Sequence, residues 1–340
     1  MLQLVNRTPY QTEGALLLDI NGAEVWVVVV KATFEVTNGK LLLADEQEPV
    51  CLVDEYNGEP GASSMKYENE LVFNKPGTDI VINGHAYAPQ AKPVTKMDVN
   101  VRVGRNQKTI RVFGDRIWYR SFVGLSISKP KPFVKMPLIY ERAFGGTDTS
   151  GDKPRKHGTE HRNPIGVGFA MSKSFLKDKP LPNLEEPANR IKGWKSRPKP
   201  AGFGFICKHW KPRRQYAGTY DQKWVEHRLP LYPLDFNFRF FLGAHPDMVA
   251  IPHLHGGEPV ELFGLTPGGC LTFNLPQVDL NFSTRLEGKW INHCSKLGTV
   301  IIEPDIPRVM MTWQTSLPCH RKRFELEETE IREERVNPCN

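Results

Sequence analysis

Three histidines near residue 250 have a spacing that is compatible with a metal site. His245 is followed by His253 and His255, and Asp247 and Glu258 are close in the sequence. Two imidazoles and a carboxylate form a donor set that zinc and related ions accept. In a strand, however, His253 and His255 share one face, and two neutral histidines hydrogen-bonded at the surface explain the pattern equally well. We therefore predict no metal and no other cofactor. His245, His253 and His255 are the residues that would be candidates for metal ligands.

The sequence lacks the local motifs of the commonest nucleotide-binding and hydrolytic sites. It contains no G-x-x-x-x-G-K-[ST] loop, no G-x-S-x-G elbow and no H-E-x-x-H. Carboxylates are too numerous for spacing alone to define a catalytic pair, as Glu141 and Asp148 illustrate. We predict no catalytic residue and a protein that is not an enzyme. The alternative is a hydrolase of carbohydrate or cell-wall substrates on a β scaffold.

Positive charge is concentrated in the middle of the chain. Residues 153–214 contain 16 Lys and Arg against 4 Asp and Glu, whereas the whole chain has a net charge of +7. Such a segment favours association with an acidic partner, although a solvated loop face has the same composition. Residues 208–214 also interleave cationic and aromatic side chains, as nucleic-acid binders do. Because the total charge is modest and no helix-turn-helix, RRM or OB pattern occurs, we do not expect nucleic acid as the ligand.

Asn-Gly pairs separate the apolar runs of the N-terminal part. Asn21-Gly22 and Asn38-Gly39 each supply the two positive-φ residues of a type I′ hairpin turn. The runs around them predict a meander of three antiparallel strands, and the unbroken apolar stretch at 25–30 predicts a middle strand buried on both faces. A third pair, Asn83-Gly84, predicts another hairpin, and strand signals continue to about residue 119.

The amino-acid composition changes at residue 129. From there to residue 233 the chain is rich in Pro, Gly, Lys and Arg, which permits few long helices or strands, and its isolated aromatic residues are expected to pack against the sheets. The tail at 324–335 has the composition of a helix and the alternation of a strand. We predict a mainly β fold of antiparallel sheets packed as sandwich-like units, with an N-terminal β region at 1–128, a basic loop segment at 129–233 and a C-terminal β region at 234–340 that completes the core.

The chain carries no sign of export or membrane insertion. The N-terminus lacks a basic stretch with a following apolar region, and no apolar run approaches the roughly 20 residues of a membrane span. The six cysteines are scattered without a C-x-x-C, which favours reduced and mostly buried thiols. We expect a cytoplasmic protein without a membrane partner.

The order of short motifs along the chain resembles the bacterial family catalogued as domain of unknown function 2169, which is found beside type VI secretion genes. The stretches that carry the resemblance are Val30-Lys31-Ala32-Thr33-Phe34, Ser63-Ser64 with Tyr67-Glu68, Lys75-Pro76-Gly77-Thr78-Asp79, Met136-Pro137-Leu138-Ile139-Tyr140-Glu141-Arg142-Ala143-Phe144-Gly145-Gly146, Asn163-Pro164-Ile165-Gly166, Leu181-Pro182-Asn183-Leu184-Glu185, Pro200-Ala201-Gly202-Phe203-Gly204, Trp210 with Pro212-Arg213, Ala217-Gly218-Thr219-Tyr220-Asp221 and Asp235-Phe236 with Arg239-Phe240-Phe241.

The resemblance implies an adaptor or chaperone that holds a type VI secretion effector and helps to mount it on the VgrG spike or its PAAR tip. It implies no catalytic residue. Since Arg and Trp are favoured interface anchors, we expect Trp210, Arg213 and Arg214, together with Arg142 and Phe144, to bind the partner. Charge reversal at Arg213 and Arg214 is then expected to weaken the complex.

Overall fold

The computed structural model describes residues 3–122 and 124–334, and β-strands make up most of its regular structure. Within these residues, no helix is both long and apolar enough to cross a membrane. The two α-helices are short, α1 Lys211–Arg214 and α2 Gln222–His227. Single 3₁₀ turns lie at Pro89–Ala91, Tyr140–Arg142, Pro154–Lys156, Lys173–Leu176, Phe238–Phe241, Pro246–Met248 and Arg323–Glu325.

The strands follow one another along the whole described chain and confirm the mainly β class. In chain order they are β1 Gln3–Asn6, β2 Gln11–Leu18, β3 Glu24–Thr37, β4 Lys40–Leu43, β5 Glu55–Tyr56, β6 Met65–Tyr67, β7 Thr78–Ile82, β8 His85–Tyr87, β9 Lys96–Val103, β10 Asn106–Phe113, β11 Trp118–Ser121, β12 Gly124–Ile127, β13 Lys135–Pro137, β14 Phe144–Gly145, β15 Thr147–Asp148, β16 Gly158–Thr159, β17 Val167–Gly168, β18 Leu184–Glu185, β19 Val249–Ala250, β20 Pro259–Phe263, β21 Cys270–Asn274, β22 Asp279–Leu286, β23 Lys289–Cys294, β24 Lys296–Glu303, β25 Arg308–Pro318 and β26 Leu326–Glu334.

Three larger sheets form the framework. Sheet I has the order β19-β7-β24-β25-β3-β2 with β4 also on β3, sheet II has the order β18-β10-β9-β20-β21, and sheet III has the order β1-β26-β22-β23. Within these three sheets, neighbouring strands are antiparallel except for β7 with β24 and β1 with β26. Sheets I and II combine strands from before residue 128 with strands from after residue 233, and β18 of sheet II comes from between them. The predicted boundaries at residues 128 and 233 therefore mark changes of amino-acid composition, while strands on both sides of them belong to the same sheets.

The strand β3 is buried on both faces, as its apolar run predicts. Trp26, Val28 and Val30 face the main core, whereas the alternate valines face a second cluster that contains Phe73 and Phe241. Burying one valine or phenylalanine side chain contributes about 1.5–3 kcal/mol. A strand with two apolar faces is therefore stable only in the middle of the fold.

Of the three Asn-Gly pairs, only Asn38-Gly39 forms the predicted turn. Both residues have positive φ, 51° and 74°, and they join β3 to β4. At Asn21-Gly22 only the glycine has positive φ, because the Asp19 carboxylate accepts the backbone N–H groups of residues 21 and 23 and widens the loop. At Asn83-Gly84 the hairpin prediction was wrong, since β7 pairs with β24 and β8 pairs with β13.

The predicted three-stranded meander is only partly formed. The strands β2 and β4 both pair with β3 in antiparallel fashion, but they occupy different halves of the same edge. The opposite edge pairs over residues 25–35 with β25, a strand nearly 300 residues away in sequence. The tail, which the sequence left open between helix and strand, forms strand β26 from residue 326 to 334, with Thr329 and Ile331 buried, and residue 335 lies outside the described residues.

The middle segment (residues 129–233) is ordered by its aromatic residues, as predicted. Phe203 and Trp210 are fully buried in the main core, and Phe144 is buried in a satellite cluster against which Phe169 and Trp194 pack. Of the five cysteines in the described residues, Cys51, Cys207 and Cys319 are buried and the other two are exposed, all without disulfides. Cys339 lies outside the described residues.

Candidate partner-binding cleft

An open cleft lies where the middle segment meets sheet II. Its cavity has a volume of about 330 Å³. The walls come from the turn Pro246–Met248, which packs against β10, from the start of α1 and from the loop at Lys199-Pro200. A cavity of this size accommodates one or two side chains of a partner or a small ligand.

A buried lysine holds one side of the cleft together. Lys108 lies on β10, whose alternation turns it inward together with Ile110 and Val112. Its ammonium nitrogen is 3.0 Å from Glu186 Oε1, 3.3 Å from His245 Nε2 and 3.5 Å from Asp247 Oδ2. A buried ammonium needs such partners, because leaving it unpaired in the interior costs several kcal/mol.

This cluster also contains the donor set of a metal site. Donor atoms of Glu186, His245 and Asp247 lie within 4.8 Å of one another. The Lys108 ammonium already supplies a positive charge next to all three, so a metal ion would have to approach a like charge. Burial and the neighbouring Lys108 lower the pKa of His245 to about 4, so its imidazole is neutral at pH 7.

The three candidate histidines do not form one site. Nδ1 of His253 lies 2.9 Å from the carbonyl oxygen of Leu297, and His255 is exposed, with its backbone N–H bonded to Glu258. His245 instead joins the Lys108 network. The candidate ligands His245, His253 and His255 therefore do not share one site, because the chain between them turns away into a loop.

Tyr140 closes the floor of the cleft. The residue is 2% exposed, and its hydroxyl has no hydrogen-bond partner among the described residues. Its ring packs edge-on against Trp210, with centroids 5.4 Å apart, and so closely on Gly202 that a methyl group there would lie 2.6 Å from the ring. Burial raises the pKa of Tyr140, so the hydroxyl stays protonated and remains a donor.

Two lysines stand at the mouth of the cleft without internal partners. Lys199 and Lys211 are exposed, and neither ammonium group takes part in an ion pair with another described residue. Arg162 also lines the cleft, but its guanidinium donates to both oxygens of Glu160 at 2.8 and 2.7 Å. The free positive charge of the cleft therefore belongs to the two lysines.

Three of the predicted partner-binding residues are buried. Trp210 and Phe144 are 1% exposed and Arg213 is 2% exposed. The Arg213 guanidinium donates to Glu68 at 2.7 Å and to the carbonyl oxygens of Ile206 and Phe240 at 2.8 and 2.7 Å. A direct partner contact by these three side chains is thus excluded in this conformation, and charge reversal at Arg213 would damage the fold instead of an interface.

The other two predicted residues are accessible. Arg214 is exposed at the end of α1. Arg142 is half-buried, donates to Asn183 Oδ1 at 3.0 Å and lies 3.5 Å from Asp115. Neither residue lines the cleft. Partner binding by Arg142 and Arg214 stays a prediction.

Many charged and polar residues of the resembling motifs hold loops to the sheets. They do so through buried or half-buried contacts between segments distant in sequence: Lys31 with Glu70 at 3.2 Å, Arg116 with Glu185 at 2.5 Å, Ser64 with Glu141 at 2.7 Å, and Asn163 with the carbonyl oxygen of Tyr140 at 2.7 Å. Lys75 and Asp79, four residues apart, form a further buried pair at 2.7 Å. These motifs therefore describe a scaffold, and the cleft is formed on top of it.

Sequence reasoning missed Lys108, Tyr140 and Glu186 as members of one site. A signal existed for Lys108, because a lysine in register with Ile110 and Val112 must face inward and needs a buried partner. No pattern in the sequence indicates that the Tyr140 hydroxyl is left without a partner, since that depends on the packing of segments distant in sequence.

The fold and the cleft define a β-sheet protein with long loops anchored to the sheets and a preformed cleft that is open to solvent. The chain belongs to a bacterial family described as "Uncharacterized protein conserved in bacteria (DUF2169)", whose model matches residues 21–314. Neither a curated protein nor a solved structure matches the chain.

Proposed function

We propose that this protein is a non-enzymatic cytoplasmic adaptor that binds a type VI secretion effector and helps to load it onto the VgrG or PAAR spike protein. The observation that carries the proposal is the cleft, where two exposed lysines, Lys199 and Lys211, have no ion-pair partner among the described residues. Polar groups left unsatisfied at a concave surface favour a bound partner, because they regain hydrogen bonds and ion pairs on association.

The rigidity of the surrounding loops supports a binding role. The middle segment contains few regular elements, yet Arg213 with Glu68, Arg116 with Glu185, and Trp210 fix it to the sheets. A preformed surface loses little conformational entropy when a partner binds. A stoichiometric adaptor benefits from this, since it must hold its cargo without the help of a chemical step.

The charge of the middle segment also fits a carrier of acidic cargo. Residues 153–214 have a large excess of Lys and Arg, but Arg213, Lys208 and Arg162 are paired internally with Glu68, Asp54 and Glu160. Lys199 and Lys211 form no ion pair with another described residue. Charges that remain exposed after folding accelerate the encounter with an oppositely charged partner.

The test combines capture with secretion in the bacterium that carries this chain. The tagged full chain should recover a PAAR-containing or VgrG-linked effector in near-equal amount, identified by mass spectrometry. Deleting the gene should abolish secretion of that effector while secretion of the tail-tube protein continues, and re-expression should restore it. Normal effector secretion in the deletion strain would refute the adaptor function.

The alternative is a hydrolase acting on carbohydrate or cell-wall substrates. The observation in its favour is that two carboxylates, Glu186 and Asp247, face the same cleft with His245 beside them. Their common contact with the buried Lys108 explains the same arrangement as an internal ion-pair network. Release of reducing sugars from purified peptidoglycan, lost in both Glu186→Gln and Asp247→Asn, would replace the adaptor proposal with this one.

A further inference from the structure

We propose that two copies of this chain associate through strand β2, and that their β2 strands pair in antiparallel fashion about a twofold axis at Ala15. The pairing joins the two copies of sheet I into one continuous sheet. Such a dimer is compatible with the adaptor function but does not depend on it.

Within the described residues, strand β2 presents the longest open edge of the three larger sheets. It has eight residues, Gln11–Leu18, and is the last strand of sheet I. The strand at the other end of sheet I, β19, has two residues. Sheets II and III end in strands of two to six residues. Because an open edge is a template for pairing with another chain, the longest edge offers a partner the most hydrogen bonds.

Alternate residues of β2 direct their backbone groups away from the sheet. The N–H of Asp19 donates to the carbonyl oxygen of Ala23, so the odd-numbered residues of β2 are the ones that bond to β3. The residues whose N–H and C=O groups point outward are therefore Thr12, Gly14, Leu16 and Leu18. No other described residue hydrogen-bonds to these backbone groups. Four donors and four acceptors are thus left for a partner strand.

Strand β2 lacks the features by which soluble proteins protect such an edge. It contains neither lysine nor proline, and its pairing with β3 runs without a bulge. In contrast, β23 of sheet III begins with Lys289, and the Asn38-Gly39 turn lies against β21 of sheet II, where a methyl group on Gly39 would be 3.3 Å from the carbonyl oxygen of Thr272. The side chains of Leu16 and Leu18 are 42% and 50% exposed. An apolar edge without protection favours a strand that covers it.

A second copy of β2 matches the first in the antiparallel register that places Ala15 opposite itself. In this register Thr12 lies opposite Leu18 of the second copy, and Gly14 lies opposite Leu16 of the second copy. Every outward donor of one copy therefore meets an outward acceptor of the other, and the pairing covers the whole strand. The twofold axis makes each contact twice, which is the usual symmetry of soluble dimers.

The side chains agree with the same register. Leu16 lies beside Gly14 of the second copy and above the Trp26 ring, which a methyl group on Gly14 would approach to 2.5 Å. Leu16 therefore buries its exposed surface without meeting another large side chain at the opposite position. Glu13, the single charged residue of β2, lies opposite Leu17 of the second copy, so that no like charges face each other.

Disulfide trapping tests the register. In the proposed dimer the two Ala15 residues form a non-hydrogen-bonded pair, whose Cα atoms lie about 4.5 Å apart, within the range that a disulfide needs. Ala15→Cys should therefore form a covalent dimer under mild oxidation, detected on non-reducing gels and reversed by dithiothreitol. Leu17→Cys, on the same face of the strand but opposite Glu13, is the matched control and should not. Both variants are made in a background of Cys270→Ser, Cys294→Ser and Cys339→Ser.

Analytical ultracentrifugation measures the association without a crosslink. The wild-type chain should sediment as a dimer that dissociates on dilution. Leu16→Lys leaves the β2–β3 hydrogen bonds in place but adds a charge on each side of the axis and removes two leucines from it. The dissociation constant should rise at least about tenfold. Phe263→Lys replaces an equally exposed apolar residue, at 43%, on β20 of sheet II and should leave the constant unchanged.

The outcomes decide between a second copy and other occupants of the edge. A concentration-dependent dimer that Leu16→Lys disrupts, with a crosslink confined to Ala15→Cys, would support the β2 contact. A chain that stays monomeric at every concentration, with no covalent dimer of Ala15→Cys, would overturn it, as would equal crosslinking of Ala15→Cys and Leu17→Cys. Protection of the β2 amides from hydrogen exchange only after an effector is added to a monomeric chain would assign the edge to a cargo strand and overturn the second copy.

Discussion

Sheet I and the middle segment are stabilised in different ways. In sheet I, β25 pairs with β3 along its whole length, and β3 buries valines on both of its faces. In the middle segment, strands of two residues alternate with loops, and buried ion pairs connect those loops to distant parts of the chain. Apolar burial is spread over many residues, whereas an ion pair depends on two. Sheet I has buried pairs of its own, Lys31 with Glu70 and Asp79 with Lys75. We therefore expect loss of a buried ion pair in the middle segment to cost more than loss of one apolar group in sheet I.

The contacts of Arg213 illustrate the difference. Its guanidinium bonds to Glu68, which lies 145 residues earlier in the sequence, and to two backbone carbonyl oxygens of neighbouring loops. Lys208 lies 3.4 Å from the same carboxylate but is partly exposed. Removing one partner of such a buried pair leaves a charge that the interior cannot solvate. The loops around Glu68 should therefore depend on this one side chain.

The largest effect is expected for Arg213→Ala. Leaving Glu68 without its main partner should lower the free energy of unfolding by about 3–5 kcal/mol. Urea denaturation followed by tryptophan fluorescence measures it. Arg214→Ala, the adjacent exposed arginine, is the matched control and should change stability by less than about 0.5 kcal/mol. Equal effects of the two variants would break the comparison, because the buried pair would then contribute no more than a surface charge.

The next effect concerns the close packing of loops. A methyl group at Gly145 would overlap the backbone carbonyl oxygen of Asn163, whose side chain bonds to the carbonyl oxygens of Tyr140 and Phe144. Gly145→Ala should therefore cost about 1–3 kcal/mol. A methyl group at Gly193 meets no atom within 4 Å, so Gly193→Ala serves as the control. Thermal unfolding of both variants measures the difference, and a stable Gly145→Ala would show that these loops yield to strain.

The same contrast explains what could be predicted from the sequence. The burial of β3 follows from a local pattern of valines, and the type I′ turn at Asn38-Gly39 follows from two adjacent residues. The pairing of β3 with β25 and the failure of Asn83-Gly84 to form a hairpin depend on long-range strand pairing, which no local pattern specifies.

Near the cleft, the sequence drew attention to several side chains that the structure buries. Basic and aromatic residues near 210 drew attention to Trp210 and Arg213, but both are used to anchor the loop. Residue type alone does not distinguish an interface anchor from a buried one. That distinction depends on partners such as Glu68 and Tyr140, which lie 145 and 70 residues away in sequence.

Besides buried ion pairs such as Lys31 with Glu70, the sheets contain a polar chain around His293, which allows a test of how much they rely on apolar burial. The imidazole of His293 lies 2.7 Å from the Thr284 hydroxyl and 2.6 Å from the Thr315 hydroxyl. The Thr284 hydroxyl is hydrogen-bonded in turn to the Thr329 hydroxyl, which accepts the indole N–H of Trp26. Burial lowers the pKa of His293 to about 4. The unfolded chain binds a proton at this residue near pH 6.5, and the folded chain does not until about pH 4.

Stability should therefore fall as the pH decreases from 6.5 towards 4, because the unfolded state gains protons first. His293 should account for about 1–2 kcal/mol of the loss between pH 7 and pH 5, reduced from the full value by its partial exposure. Urea denaturation at both pH values should show a smaller loss for His293→Gln than for the wild type. His227→Gln, an exposed histidine on α2, is the control. An unchanged pH dependence in His293→Gln would contradict the assignment.

The smallest effect is expected inside sheet I. Ile82 on β7 is fully buried, and Ile82→Val removes one methyl group, which should cost about 0.5–1.5 kcal/mol. Ile306→Val, in an exposed turn, should be neutral within about 0.5 kcal/mol. Urea denaturation of the two variants measures the difference. If Ile82→Val cost as much as Arg213→Ala, sheet I would be as sensitive as the middle segment, and the contrast between distributed apolar burial and paired charges would fail. A small cost would support it, because the neighbouring side chains of the sheet retain most of their contacts when one methyl group is lost.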